Sequence, residues 1–195
     1  MKKITIVVIV VFATMISFAQ TQSSGHLTFK GVPVDGTLNE YVSKMKQSGF
    51  TLLRTENGIA MLTGDFAAYK DCLVGVSTLK QKDLVSKITV IFAERDTWSS
   101  LLENYFELKE MQTQKYGTPA ESIEKFDTYS EPRNDQSKMY EVKMNNCKYS
   151  TTYETDKGSI QLFLAHDGIS SCYVVLAYYD KINGDIIRAR AMDDL

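Results

Sequence analysis

A sequence pattern in the first half of the chain recurs 100 residues later. The acidic turn at 55–58 returns at 155–158, and Cys72 returns as Cys172, each within an apolar run. The two segments share the order and spacing of these residues as well as their composition, and shared spacing is harder to obtain by chance. We therefore interpret the recurrence as a duplicated supersecondary unit. Two similar units must build one core together, so the recurrence strongly constrains the fold. It indicates very little about the chemistry of the protein.

The N-terminal residues predict the cellular location of the protein. Two lysines precede an uncharged stretch at 4–16, and small residues flank Phe18. This order is typical of a secretory signal peptide, which we predict at 1–19, with a mature chain that begins near Gln20. The uncharged stretch is shorter than the ~20 residues that span a bilayer. We therefore expect a periplasmic or secreted protein with no membrane span after signal cleavage.

Charge and length exclude some classes of partner and fold. The chain has a formal net charge of −2 at pH 7, without a block of basic residues. Nucleic-acid-binding proteins cluster Lys and Arg on one surface, so we expect no nucleic acid as a partner. The roughly 175 mature residues suit a single domain, 20–195, that buries a core without disulfide bonds.

Hydrophobic periodicity predicts a β-α-β-β-β order for the first unit, 26–79. Thr37 and Glu40 have the spacing of a capping box, and apolar residues then recur at helical spacing, which predicts a helix at 38–48. An Asn-Gly pair at 57–58 predicts a tight hairpin turn. The predicted strands of this unit are 26–30, 50–55, 59–63 and 69–78.

The second unit, 86–180, repeats this order with one addition. Asp96 or Thr97 caps a predicted helix that ends near residue 116. The segment 118–138 is polar, acidic and rich in turn-forming residues, so we interpret it as an insertion. The predicted strands of this unit are 86–93, 139–155 with a break at Asn145-Asn146, 159–165 and 169–179, and a short helix is expected near 186–192.

Two such units predict an α+β fold. They most simply form one mainly antiparallel sheet with two helices packed on one face. A single helix cannot cover the whole sheet face of its unit. We therefore expect one shared core and no independent folding of the halves.

Two resemblances support this layout. The segment 29–38 (FKGVPVDGTL), with part of the helix that follows, is similar to small exported proteins of Bacteroidetes that have no assigned function. The repeated helix-plus-hairpin order resembles the β-lactamase-inhibitor-protein-like fold and the outer-membrane assembly lipoprotein fold. Those families imply protein binding through a sheet surface or its loops. The chain departs from them because it has no cysteine for lipidation and no inhibitory loop motif.

The alternation of the strands predicts apolar residues on both faces of the sheet. With a turn at 157–158 as register, Ile160 and Leu162 lie on the core face. The opposite face then carries the predicted binding residues, which are Met61, Phe163, Tyr173, Val175 and Tyr179. The same alternation adds Phe50, Leu52, Ile59, Leu73 and Ala177.

An apolar second face needs a cover, since a two-layer fold would leave it in water. Large exposed apolar patches usually mark interaction surfaces, so we expect a non-enzymatic binding protein whose partner is another protein or a second copy. The alternative is cover from within the chain, by the insertion at 118–138 and the C-terminal tail. A third interpretation is a small-ligand carrier with a groove lined by Phe163, Tyr173 and Tyr179.

A thiol-dependent hydrolase is the rival from another class. Strand pairing predicts Cys147 roughly opposite His166, and a thiolate beside an imidazolium is an activated nucleophile. The plainer interpretation is that His166 belongs to a polar turn and Cys147 is a small apolar side chain. Cys72 and Cys172 are expected as buried thiols, or as one disulfide if their strands are neighbours.

Other chemistry lacks its motifs. The sequence has two histidines, no cysteine pair at metal-ligand spacing and no phosphate-binding loop. Groups of carboxylates such as those at 121–127 lack the spacing of a calcium loop, so we interpret them as solvated charges. We therefore expect no cofactor, no metal and no enzymatic activity.

Overall fold

A computed structural model describes residues 25–79 and 82–193. Over these residues the chain has four helices, an eight-stranded antiparallel sheet and a two-stranded sheet, which confirms the predicted α+β class. The helices are α1 (Leu38–Gln47), α2 (Trp98–Tyr116), α3 (Asp135–Lys143) and α4 (Lys181–Asp193). The strands are β1 (Thr28–Phe29), β2 (Val32–Pro33), β3 (Thr51–Glu56), β4 (Ile59–Phe66), β5 (Tyr69–Leu79), β6 (Lys82–Ile91), β7 (Glu121–Phe126), β8 (Cys147–Thr155), β9 (Gly158–Asp167) and β10 (Ser171–Asp180).

The large sheet has two four-stranded halves in mirrored order. In space the strands run β3-β4-β5-β6 and then β10-β9-β8-β7, so the halves meet where β6 pairs with β10. In chain order α1 precedes the strands of the first half and α2 those of the second. β6 therefore completes the first half, whereas the sequence analysis assigns 86–93 to the beginning of the second unit. A mirrored order is what a duplicated unit would produce, and the duplication itself stays a prediction.

The predicted insertion at 118–138 contains a strand. β7 lies at one edge of the sheet and pairs with β8, for example at Ser122 with Thr151. Its sequence ESIEKF is charged and has no apolar alternation, because an edge strand buries little. The sequence therefore carries no signal that separates β7 from a loop.

The predicted strand at 139–155 is wrong in its first part. Residues up to Lys143 belong to α3, which begins where the side chain of Asn134 accepts a hydrogen bond from the N–H of Ser137 at 2.8 Å. Met139 and Val142 are the side chains that α3 buries, three residues apart. Periodicity cannot separate helix from strand in so short an apolar run.

Helices α1, α2 and α3 lie on one face of the sheet, and α4 lies at one end of it. α1 contacts the strands of the first half, α2 and α3 contact those of the second, and α4 contacts β6, β9 and β10. The fully buried side chains beneath them alternate along the strands: Ala60, Leu62, Val74, Val76, Ile88, Val90, Ile160, Leu162, Val174 and Leu176. We call this face the covered face.

The predicted capping box fixes the beginning of α1. The hydroxyl of Thr37 accepts from the N–H of Glu40 at 3.3 Å, and the carboxylate of Glu40 accepts from the N–H of Thr37 at 3.0 Å. Each bond satisfies a backbone donor that has no partner within the helix. Four side chains of α1 are buried against the sheet, at the spacing that the sequence predicts: Leu38, Tyr41, Val42 and Met45.

Two expectations concern the membrane. No helix in the described part of the chain is both long enough and apolar enough to cross a bilayer. The predicted signal peptide at 1–19 lies outside the described residues.

Candidate functional site

The second face of the large sheet is the candidate site, and we call it the open face. Strand pairing joins its residues into three transverse rows that run across all or nearly all of the strands. The first row is Thr51, Thr63, Leu73, Ile91, Val175, Phe163, Ser150 and Ile123. The second row is Arg54, Met61, Gly75, Thr89, Ala177, Gln161, Thr152 and Glu121. The third row is Glu56, Ile59, Ser77, Lys87, Tyr179, Ser159 and Glu154.

All five predicted binding residues lie on the open face. Met61, Phe163, Val175 and Tyr179 belong to the three rows, and Tyr173 stands two residues before Val175 on β10. Ile59, Leu73 and Ala177 also lie there, as predicted. Whether these residues bind anything is the subject of the proposal below.

Phe50 and Leu52 lie on the covered face, against their prediction. Leu52 pairs with the buried Leu62, and Phe50 is 4% exposed beside Gly64. A bulge in β3 between Leu52 and Arg54 shifts the register, so Phe50 and Leu52, before the bulge, lie on the core side of the strand. An extra residue of this kind reverses the alternation within a strand, and sequence periodicity does not reveal it.

The first row has an apolar centre. Leu73, Ile91, Val175 and Phe163 stand on four adjacent strands, β5, β6, β10 and β9. Leu73 is 38% exposed, whereas Val175 is 4% exposed because its larger neighbours shield it. In the third row Ile59 is a further exposed apolar residue, at 41%.

Small side chains form the floor beside this apolar centre. Gly75 and Ala177 lie in the second row, with Thr89 between them on β6. Beyond them the ammonium of Lys87 lies 4.9 Å from the centre of the Tyr179 ring, a cation–π distance. The open face is thus low at Gly75 and Ala177 in the middle of its second row.

Charged residues mark the two outer edges of the open face. Arg54 and Glu56 stand on β3, and Glu121 stands on β7 at the opposite edge. Neither Arg54 nor Glu121 forms an ion pair among the described residues. Near the β7 edge, Asp127 lies 2.8 Å from the ammonium of Lys125, and its second oxygen lies 2.6 Å from that of Lys148.

The segments that were expected to cover the open face lie elsewhere. Within the described residues, β7 extends the sheet sideways, and α3 buries Met139 and Val142 in the core of the covered face. α4 lies at the end of the sheet, where the amide of Asn183 donates to the carbonyl of Val85 at 2.8 Å. Helices α1, α2 and α3 therefore leave the open face uncovered. α4 borders only its third row, where Gly184 and Arg188 line a cleft with Ser159 and Tyr179.

The rival pair Cys147 and His166 has other partners. The Nδ1 atom of His166 lies 2.7 Å from the carbonyl oxygen of Gly168, and Nε2 lies 3.0 Å from the side-chain oxygen of Asn145. Burial raises the pKa of the Cys147 thiol to about 12. A thiol with this pKa is protonated near neutral pH, and protonation removes its nucleophilicity.

The three cysteines are free. Cys72 lies on β5 and Cys172 on β10, and β6 separates these strands, so the thiols are out of disulfide reach. Burial raises the pKa of both. The prediction of buried thiols is therefore confirmed, and the alternative disulfide is wrong for this arrangement because the halves meet through β6 and not through β5.

A buried polar cluster at one end of the sheet has no sequence signal. The carboxylate of Asp180, fully buried, accepts from Nδ1–H of His26 at 3.0 Å and from the N–H of Leu27 at 2.7 Å. It also accepts from the N–H of Asn183 at 2.9 Å. These bonds join α4 to the chain before β1, across more than 150 residues of sequence.

One cleft lies away from the open face. It has a volume of about 660 Å³ and lies between α3 and the beginning of α2, with Met139, Tyr140, Met144 and Ile169 among its lining residues. The groove predicted for a small ligand, lined by Phe163, Tyr173 and Tyr179, does not coincide with this cleft. Among the described residues, no group of three or more His, Cys, Asp or Glu side chains could hold a metal ion.

No protein-family model, curated protein or solved structure matches the chain. The two resemblances given in the sequence analysis therefore stay predictions.

Proposed function

We propose that this chain is an exported, non-enzymatic binding protein of the cell envelope that binds another protein, or a second copy of itself, through its open face. The observation that carries the proposal is the apolar centre of the first row, on a face that no described helix covers. The predicted signal peptide supports the envelope as its place.

The physical argument rests on exposed apolar area. Leaving a side chain such as Leu73 or Ile59 in water forfeits ~25 cal/mol for each Å² that could be buried. Monomeric soluble proteins rarely expose a contiguous apolar patch larger than a few hundred Å² unless it binds something. Aromatic residues near the middle and charges at the edges are also typical of protein interfaces, and Phe163 and Tyr173 stand near the middle of this face.

The geometry favours binding over thiol chemistry. The raised pKa of Cys147 and the separate partners of His166 leave the hydrolase interpretation without an activated nucleophile. The small-ligand carrier would need a groove lined by Phe163, Tyr173 and Tyr179 together. A cleft of about 560 Å³ includes Tyr179 among its lining residues, but neither Phe163 nor Tyr173 is among them.

The experiment is affinity capture from envelope extracts with the mature chain as bait. The test variant is Phe163→Glu with Tyr173→Glu, which places carboxylates on the open face. The matched control is Tyr129→Glu, because Tyr129 is fully exposed outside the large sheet. Circular dichroism and thermal unfolding establish that all three proteins fold.

We expect a protein that the parent and the control capture and the test variant does not. Purification of that protein and titration against the three baits should give at least about 10-fold weaker binding for the test variant, since each introduced charge must be desolvated at the interface. Equal binding by all three baits would place the interface elsewhere and overturn the proposal.

A further inference from the structure

The two halves of the open face are complementary to each other. Counted outward from the boundary between β6 and β10, Ile91 corresponds to Val175 and Leu73 to Phe163. In the second row Gly75 corresponds to Gln161, the smallest residue to a large one, and at the edges Arg54 corresponds to Glu121. In the first row apolar residues thus correspond to apolar residues near the boundary, and in the second row the edge cation corresponds to a carboxylate. The third row does not follow this rule, because Ile59 corresponds to Glu154.

We propose that the occupant of the open face is a second copy of this chain, packed face to face about a two-fold axis that runs along the boundary between β6 and β10. This inference rests on the proposed function and names its partner. Such an axis places each residue of one half over the corresponding residue of the other half in the second copy. Because a two-fold interface is isologous, every such contact occurs twice.

The apolar contacts lie near the axis. Leu73 packs over Phe163 of the second copy, and Ile91 packs over Val175. Two sheets that pack face to face differ by ~30° in strand direction, which displaces the outer residues more than the inner ones. Leu73 and Phe163 are each the second residue from the boundary in their row. The rotation therefore displaces each of them by only a few Å from the facing residue of the second copy.

The charged contacts lie at the outer edges, where long side chains are needed. Arg54 and Glu121 have no ion-pair partner among the described residues, and the face-to-face arrangement gives each of them one. Close to the axis, Lys87 lies over Tyr179 of the second copy in addition to Tyr179 of its own chain. The arrangement therefore opposes unlike charges at its rim.

The alternative two-fold axis, across the strands, fits less well. Such an axis keeps every strand over itself, so at no position along the strands does it bring Arg54 of β3 to Glu121 of β7. When it passes between the first and second rows, Leu73 faces Gly75 and Phe163 faces Gln161. Arg54 would then face Thr51 rather than a carboxylate. The axis along the strands is the arrangement that satisfies both the apolar centre and the edges.

The area is sufficient for a stable dimer. Eight strands at ~4.8 Å spacing give a width of ~34 Å, and three rows cover ~20 Å along the strands. The flat area is therefore ~700 Å² per copy, close to the ~800 Å² per partner of a standard protein interface.

The test is sedimentation velocity over a concentration series with the mature chain and three variants. Leu73→Lys and Phe163→Glu each place two like charges in the interface of the dimer. The double variant Leu73→Lys with Phe163→Glu places an ammonium opposite a carboxylate at both contacts. Tyr129→Glu serves as the control, and circular dichroism establishes folding for each protein.

We expect the parent and the control to dimerise. Each single variant should raise the dimer dissociation constant at least about 10-fold, and the double variant should recover most of that loss. A parent that stays monomeric at every concentration overturns the second copy as occupant, and the capture experiment then decides independently whether the open face binds another protein. A dimer that the single variants do not weaken forms through another surface and overturns the second copy as occupant of the open face, and the capture experiment again decides whether that face binds another protein. If the single variants weaken the dimer and the double variant does not restore its affinity, the proposed position of the two-fold axis is wrong.

Discussion

The covered face and the open face of the sheet are built by the same strands and differ in what lies against them. Leu62 and Leu73 occupy neighbouring strands, β4 and β5, on opposite faces. Leu62 is fully buried beneath the helices, whereas Leu73 is 38% exposed. Similar side chains therefore serve the stability of the fold on one face and are free for association on the other.

The central strands show the difference most clearly. β10 has the nearly continuous apolar sequence SCYVVLAYYD, in which Val174 and Leu176 face the core and Val175 and Ala177 face outward. A strand with one wet face normally alternates between apolar and polar residues, and apolar residues on both faces are typical of strands buried on both sides. The sequence of β10 is thus that of a strand with two covers, of which the described chain supplies one.

The largest expected difference between the faces is the cost of removing a leucine side chain. We expect Leu62→Ala to lower the free energy of unfolding by about 3 kcal/mol, because it leaves a cavity in the core. Leu73→Ala should cost less than about 1 kcal/mol, because water already reaches that side chain. Urea unfolding measures both, at a protein concentration at which sedimentation finds monomers. Equal costs would mean that the open face is covered within the monomer.

The face assignment of most of these residues was predictable from sequence alone. Alternation about the turn at 157–158 places Phe163, Val175 and Tyr179 correctly, because strong β-strands with short hairpins keep a strict period of two. The capping box at Thr37 likewise locates α1 to within a residue. These features are local, and local spacing is what a single sequence records.

The features that the sequence does not reveal depend on distant contacts or on irregular backbone. The bulge after Leu52 turns Phe50 and Leu52 inward, and β7 is a strand only because β8 lies beside it. The bonds of Asp180 to His26 join residues 154 apart. For the candidate site, periodicity predicts its residues, but the pairing of β6 with β10 is needed to see that its two halves correspond.

Thiol reactivity should differ between the two faces of a single strand, β8. Cys147 lies on the covered side of β8 and Ser150 on the open side. Burial raises the pKa of Cys147 to about 12, and the thiolate is the form that reacts. We expect iodoacetamide to modify Cys147 at pH 8 on the order of 100-fold more slowly than the thiol introduced by Ser150→Cys.

The pH dependence of these rates sharpens the same comparison. The rate for Cys147 should keep rising as the pH increases toward 12, whereas the rate for the introduced thiol should level off above about pH 9. Peptide mapping after partial modification assigns the rates, with the parent chain as the control for the native cysteines. Fast modification of Cys147 at neutral pH would instead favour the hydrolase interpretation with His166.

Replacement of a carboxylate by an amide should show the smallest of the three differences between the covered face and the open face. Asp180 lies on the covered side of β10, with three donors bound to its buried carboxylate, whereas Glu154 is exposed in the third row of the open face. Asp180→Asn should lower the free energy of unfolding by about 2 kcal/mol, because an amide cannot accept from all three donors. Glu154→Gln should change it by less than about 0.5 kcal/mol, since water solvates the carboxylate. Both variants lose one carboxylate charge, so the loss of charge itself is matched between them. If thermal and urea unfolding gave equal losses, the hydrogen bonds of Asp180 would not distinguish the covered face from the open one.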